Sequence, residues 1–172
     1  MRYNVRTLKR YSGIADGDQS QPERRFQTFE DLEVYQVARE FRKAMYAVSR
    51  RLPDFEKFES ASQIRRAAVS LANNIAEGHG RYHYPDQIRF LLQARGTLEE
   101  LLDDLNVCLD ENYLPAQEIE SLKQLCLRTL NVINGYGRFL RRKKADQTST
   151  LRDAPSTATS ESGEDPFADI PL

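Results

Sequence analysis

The sequence predicts an all-α protein, an up-down-up-down antiparallel four-helix bundle. Four segments carry apolar residues at steps of three and four, the spacing that places them on one face of a helix. Three short connections join these segments, which favours antiparallel neighbours. No segment alternates apolar and polar residues like a strand. We expect the bundle at residues 28–144, with a mobile leader at residues 1–27 and a disordered acidic tail, rich in Ser, Thr and Pro, at residues 145–172.

The first helix is expected to begin near Thr28, whose hydroxyl suits an N-cap, and to end at Pro53. In the connection that follows, Phe55 and Phe58 are expected to fold back over the core. The apolar residues of the first helix form a single seam: Val34, Ala38, Phe41, Met45, Val48 and Leu52.

The second helix, from about Glu59 to Gly78, has two contrasting faces. One is apolar and rich in alanine, so that neighbouring backbones can come close: Ile64, Ala67, Ala68, Leu71 and Ile75. The other carries Arg66 and a polar motif: Gln63, Ser70, Asn73, Asn74 and Glu77. Gly78 completes the motif and is expected to end the helix in the left-handed conformation.

Two interpretations of this polar face remain open. In the first, its side chains hydrogen-bond across helices or between subunits and fix their register. In the second, Arg65, Arg66 and Arg81 contact phosphates while the amides contact bases. A surface meant only for phosphate would not need a carboxylate. Structural roles are therefore favoured for Asn73 and Glu77, and the roles of the arginines stay open.

The third helix is expected to begin with Pro85 in its first turn and to end near Asn112. Gly96, in its middle, indicates close approach of another backbone, since glycine weakens a helix interior. The fourth helix follows Pro115 and ends in a basic cluster that is a second candidate for binding nucleic acid: Arg138, Arg141, Arg142, Lys143 and Lys144.

Charge is distributed unevenly along the chain. The formal net charge is −1, but residues 23–144 hold 20 basic and 18 acidic groups, whereas residues 145–172 hold one basic and six acidic groups. An acidic tail beside a mildly basic body can compete for the same cationic surface. The sequence has neither a signal peptide nor a run that could span a membrane, so we expect a cytoplasmic protein without membrane contact.

No catalytic constellation is present in the sequence, and we expect neither an enzyme nor a cofactor. His79 and His83 have a spacing that can hold a metal on one helix, but Gly78 and Gly80 interrupt the helix there, so no metal site is expected. Cys108 and Cys126 lie on apolar stripes and are expected to be buried thiols.

Residues 63–81, which read QIRRAAVSLANNIAEGHGR, closely resemble the signature of the bacterial four helix bundle protein family. Residues 32–36 (LEVYQ) and 90–101 (FLLQARGTLEEL) support this resemblance, which covers about residues 28–143. The family includes proteins encoded in intervening sequences of 23S ribosomal RNA. It also includes accessory variability determinants of diversity-generating retroelements.

The resemblance implies a homopentamer of bundles around a central axis and a non-catalytic role. It further implies binding of RNA or other nucleic acid, and of a reverse transcriptase in the retroelement members. Those members are strongly basic, whereas this body is near +2. A second apolar stripe, which a lone bundle would leave exposed, agrees with an oligomer: Leu92, Leu102, Leu125, Leu127 and Val132.

Two functional hypotheses follow. The first is an oligomeric scaffold that binds RNA or an RNA–protein complex and acts as an accessory factor of a reverse transcriptase. The second is a protein-interaction module without nucleic-acid binding, which displays to a partner the tail's Phe167, Ile170 and Leu172.

Overall fold

Four α-helices and no strands make up the part of the chain that the computed structural model describes, residues 28–152, with side chains to residue 149. The predicted fold class is confirmed. The predicted leader, and residues 153–172 of the predicted tail, lie outside the described residues. Two short 3-10 turns, Phe29–Asp31 and Asp54–Glu56, precede α1 and α2, and the helices are α1 Glu33–Ser49, α2 Ser60–His79, α3 Tyr84–Asp110 and α4 Ala116–Arg152.

Each helix packs against the helices before and after it, and α4 also packs against α1. Two ion pairs show that α1 and α4 run antiparallel. Arg51, just after α1, pairs with Glu118 in the first turn of α4, while Glu40 pairs with Arg128 one third of the way along it, at 3.4 Å. Within residues 28–152, no helix combines the length and apolar content that crossing a bilayer requires.

The alanine-rich face of α2 lies at the centre of the bundle. Ala68, Leu71 and Ala72 have no exposed surface, and Ile64 is equally buried. Because five of the eight buried residues of α2 are alanine or glycine, α1 and α3 can both pack closely on it. Cys108 and Cys126 are free and buried in the same core, as predicted, and burial raises the pKa of the two thiols to about 11 and about 12.

Gly78 does not cap α2 in a left-handed conformation, contrary to the prediction. The helix continues to His79, and its C-cap, Gly80, has ordinary right-handed angles (φ −73°). The reason for a glycine at position 78 is instead the close approach of α3. A Cβ there would lie 3.0 Å from the Cβ of Phe90 and 3.3 Å from the carbonyl oxygen of Gln87.

Two other predictions about packing are wrong. A Cβ on Gly96 would meet no atom within 4 Å, so no backbone approaches it closely. Phe55 and Phe58 are 72% and 79% exposed rather than folded over the core. In their connection Glu56 turns inward instead, because its carboxylate accepts hydrogen bonds from Ser60 (2.6 Å) and from the Tyr113 hydroxyl (2.8 Å).

The fourth helix is longer than predicted. It continues past Lys144 to Arg152, so residues 145–152 are helical, although the sequence analysis assigned them to a disordered tail. Leu140 is its last buried residue among the described side chains. Residues 142–149 are all exposed and, apart from Ala145, polar, and apolar periodicity therefore could not reveal this part of the helix.

We expect Gly78→Ala to lower the free energy of unfolding by about 1–3 kcal/mol, because overpacking against Phe90 outweighs the helix propensity of alanine. Gly96→Ala is the matched control, since it adds the same methyl group where there is space. It should raise stability by up to about 1 kcal/mol. Urea denaturation of both variants measures the two changes, and equal effects would contradict the close approach at position 78.

Candidate nucleic-acid interface

An open groove runs between α1 and α2 on the outside of the bundle. It consists of two adjoining hollows of about 470 and 440 Å³, which share Tyr46 and Val69 as their floor. We call this surface the α1–α2 groove. Its other lining residues are Arg42, Lys43 and Arg50 of α1 and Ser62, Arg65, Arg66, Ser70, Asn73 and Asn74 of α2.

The groove is strongly cationic. Five of its lining side chains are basic, and none of the described lining residues is acidic. None of the five basic groups forms an ion pair with a residue of the described chain. Arg65 Nη2 donates to the carbonyl oxygen of Lys57 (3.3 Å), and Arg66 Nη1 donates to Ser62 Oγ (2.8 Å). These neutral acceptors leave both positive charges uncompensated.

Three of the five basic side chains that line this surface were missed by sequence reasoning. Arg42, Lys43 and Arg50 lie on α1, for which the apolar seam was the only pattern interpreted. Their signal was present, because positions 42, 43, 46 and 50 recur at threes and fours and share one helix face. Which face of α1 lies beside the arginines of α2 depends on how the helices are rotated, and no periodicity within one helix reveals that.

The polar motif of α2 is divided between two tasks. Ser70, Asn73 and Asn74 face the groove, and Asn74 Nδ2 donates to Ser70 Oγ within the same helix (3.3 Å). Gln63 alone among the motif's side chains crosses to another described helix, donating from Nε2 to Asp104 Oδ1 of α3 at 3.4 Å. The predicted register-fixing role thus applies to Gln63 inside the bundle. For Asn73 a structural role between subunits stays a prediction.

Glu77 and Arg81 lie at the C-terminal end of α2, away from the groove, and interact with each other. The two side chains form an ion pair. The Arg81 guanidinium also lies 4.7 Å from the ring centre of Phe90, the residue of α3 that packs closely on Gly78. Arg81 therefore holds the end of α2 against the start of α3, and its charge is already partly compensated. The structure places it outside the α1–α2 groove.

The basic cluster of α4 is not brought together with the groove either. Arg138, Arg142, Lys143 and Lys144 are exposed, and Arg141 is half-buried. Tyr136, just before them, shares a small hollow with Leu32 and Glu33 at the start of α1. Tyr46 lies about 20 Å further along α1. The two predicted groups of arginines therefore occupy different parts of the bundle.

The model of the 23S rRNA-intervening sequence protein family matches residues 30–135, more than half of the chain. The chain belongs to this family. No curated protein matches it.

The 23S rRNA-intervening sequence protein match includes every residue that lines the α1–α2 groove. The basic cluster of α4 begins at Arg138, beyond the end of the match at residue 135. Among the described residues of this family member, no group of three or more His, Cys, Asp or Glu side chains is placed to hold a metal ion. His79 is the last residue of α2, and His83 is the N-cap of α3.

Asp104 is the one acidic side chain buried among the described residues, at 9% exposed. Burial, with the nearby charges of Asp103 and Glu100, raises its pKa to about 6. Gln63 donates to Oδ1, whereas Oδ2 has no hydrogen-bond partner in the described part of the chain. The folded state thus holds a proton on Asp104 more tightly than the unfolded state does.

Because this pKa is raised, the charged form of Asp104 destabilises the fold, and its contribution worsens as pH rises from about 4 to about 6. We expect Asp104→Asn to be nearly neutral at pH 4 and to stabilise the protein by about 1–3 kcal/mol at pH 7. Asp103→Asn, on an exposed neighbour, is the control and should give a smaller change of the same sign. Denaturation at several pH values measures both, and a pH-independent effect of Asp104→Asn would refute the raised pKa.

Proposed function

We propose that this protein is a non-catalytic RNA-binding scaffold whose α1–α2 groove holds the RNA backbone. The observation that carries the proposal is the set of five unpaired basic side chains on one open surface with no carboxylate among the lining residues. Membership of a family named for a ribosomal RNA intervening sequence agrees with RNA as the ligand.

The composition of the groove fits a nucleic acid better than a small anion. Arginine and lysine are the usual partners of phosphate oxygens, and arginine can donate two parallel hydrogen bonds. Asn73 and Asn74 add amides that can hydrogen-bond to base edges. Tyr46, at the floor, offers a ring on which an unpaired base can stack. The groove is open along its length, as a polymer requires.

The basic cluster of α4 is the rival surface. It carries comparable charge on a helix that extends beyond Leu140, the last buried residue among the described side chains. Its exposed aromatic ring, Phe139, lies on a single helix, and the hollow beside it is lined by Glu33 and by none of the cluster's basic residues. Such a surface can attract a polyanion but orients it less than a groove between two helices does. We assign it a secondary, long-range attraction.

The scaffold is also proposed to be a homo-oligomer, and the resemblance makes a pentamer the expected state. Leu127 and Val107 are 45% and 40% exposed on the described protomer. Leu127 belongs to the predicted second stripe and Val107 does not, and the other four members of that stripe are partly buried against the core. Neighbouring subunits would cover this surface. An oligomer would also multiply the number of grooves, and a reverse transcriptase is the proposed protein partner of such an RNA-bound scaffold.

We expect the chain to bind a short labelled RNA, with an affinity that falls more than tenfold between about 50 and 200 mM salt. The double variant Arg65→Gln, Arg66→Gln should weaken binding several-fold, because two phosphate contacts are lost. Fluorescence anisotropy measures both effects.

The matched control for that experiment is Arg142→Gln, Lys143→Gln, which removes the same charge from the α4 cluster. It should change the affinity by no more than about twofold. Loss of binding in the control with retention in the groove variant would move the site to α4. Absence of binding at low salt would refute the proposed function and favour the protein-interaction module.

We expect light scattering of the purified chain at micromolar concentration to give a homo-oligomeric mass. Leu127→Glu should lower that mass, since a charge on a covered apolar surface would be desolvated. Ser121→Glu is the control, because it adds the same charge at an exposed position of the same helix, about a third of a turn around the helix from Leu127. A stable monomer in the unmodified protein would contradict the oligomeric proposal.

A further inference from the structure

We infer that the α1–α2 groove is also the docking site of this chain's own acidic segment, residues 164–172, which competes there with RNA. This inference deepens the proposed function, because it adds regulation at the same groove. It has three physical grounds: complementary charge, complementary apolar surface and reach.

The groove and the end of the chain carry opposite charges, and each contains charged side chains of one sign only. The groove presents five basic side chains and no carboxylate among its described lining residues. Residues 153–172 contain five acidic side chains and no basic one, and three of them are in the last part: Glu164, Asp165 and Asp169. Docking would supply carboxylates to arginines that have only neutral acceptors.

The apolar residues of the segment fit the floor of the groove. Phe167 and Ile170 are interleaved with the acidic residues, so acidic and apolar groups alternate along the segment. Tyr46 and Val69 form a partly buried apolar floor between the basic residues. The basic cluster of α4 also contains an exposed aromatic ring, Phe139, but the hollow beside it is lined by Glu33 and by none of the cluster's basic residues. The groove, which combines basic side chains with an apolar floor, is therefore the favoured site although α4 is nearer in sequence.

The reach of the chain selects the same residues. The α1 part of the groove, Arg42 to Arg50, lies between the levels of the Glu40–Arg128 and Arg51–Glu118 ion pairs. At 1.5 Å per residue, Arg152 lies about 35 Å beyond Arg128 and about 50 Å beyond Glu118 along α4. An extended chain covers at most about 3.5 Å per residue. Residues from about 164 onward can therefore return to the groove, and they are the ones with the matching chemistry.

The first test needs no RNA. A labelled peptide of residues 161–172 is titrated into a full-length, tail-neutral variant, Glu161→Gln, Glu164→Gln, Asp165→Asn, Asp169→Asn. We expect salt-sensitive binding that falls at least fivefold when Arg65→Gln, Arg66→Gln is added, and that is unchanged by Arg142→Gln, Lys143→Gln. A peptide with the same four neutral substitutions is the control and should not bind.

Absence of peptide binding at low salt would overturn the inference. So would binding that depends on the α4 cluster, or binding that survives both pairs of substitutions, which would place the segment on another part of the chain. Thermal melting followed by circular dichroism checks that each exposed-residue variant keeps its fold.

The second test measures regulation. Neutralising the tail should raise RNA affinity about three- to tenfold, the gain expected when a groove that is mostly occupied becomes free. In the Arg65→Gln, Arg66→Gln background the same change should raise it less than about twofold, because the competing segment has lost its site. Equal gains in both backgrounds would overturn competition at the groove. If the peptide binds as described but no variant binds RNA, the docking site stands and the proposed RNA function fails.

Discussion

The close packing of α2 between α1 and α3 is the constraint on which the rest of the structure depends. Small side chains on the buried face of α2 bring its neighbours near, and Gly78 allows the backbone of α3 to approach at Phe90. The rotation of α2 is thereby fixed, since only one of its faces can be buried in this way. Its opposite face must then point outward, and that face carries Arg65, Arg66 and the amides.

The cationic groove follows from this packing together with the orientation of α1. The seam of α1 faces the core, so Arg42, Lys43 and Arg50 lie beside the arginines of α2 rather than opposite an acidic helix. The paired carboxylates lie away from the groove: Glu40 pairs with Arg128 and Glu118 pairs with Arg51, both where α1 contacts α4, and Glu77 pairs with Arg81. The body, with a net charge near +2, can therefore still present one strongly positive surface, because its acidic and basic side chains lie on different faces.

Much of the fold could be predicted from the sequence, because helix formation and burial leave periodic traces. The four helices, their order and the two buried cysteines are all consequences of apolar spacing. The errors arose where one residue type serves several purposes. Glycine at position 78 allows α3 to pack closely and does not cap the helix. The left-handed conformation occurs instead at Asn112 (φ 57°). Exposed aromatic residues in the α1–α2 connection resembled core residues, yet Glu56 has the inward-facing partners.

The candidate site was only half predictable for a related reason. The arginines of α2 stood out because they lie within a distinctive segment, whereas the basic residues of α1 belong to the site only through helix rotation. The length of α4 was hidden because residues 141–149, apart from Ala145, are polar. Surfaces made by two helices are set by packing, and one helix's pattern carries that information only indirectly.

The central claim is that the α1–α2 groove grips the backbone of an RNA. Ultraviolet cross-linking of a bound RNA, followed by mass spectrometry of the protein peptides, tests this most directly, because Tyr46 lies at the floor of the groove. The account predicts nucleotide adducts on Tyr46 or on the groove-facing turns of α2. Adducts confined to the end of α4 or to residues 1–27, with none in the groove, would contradict it.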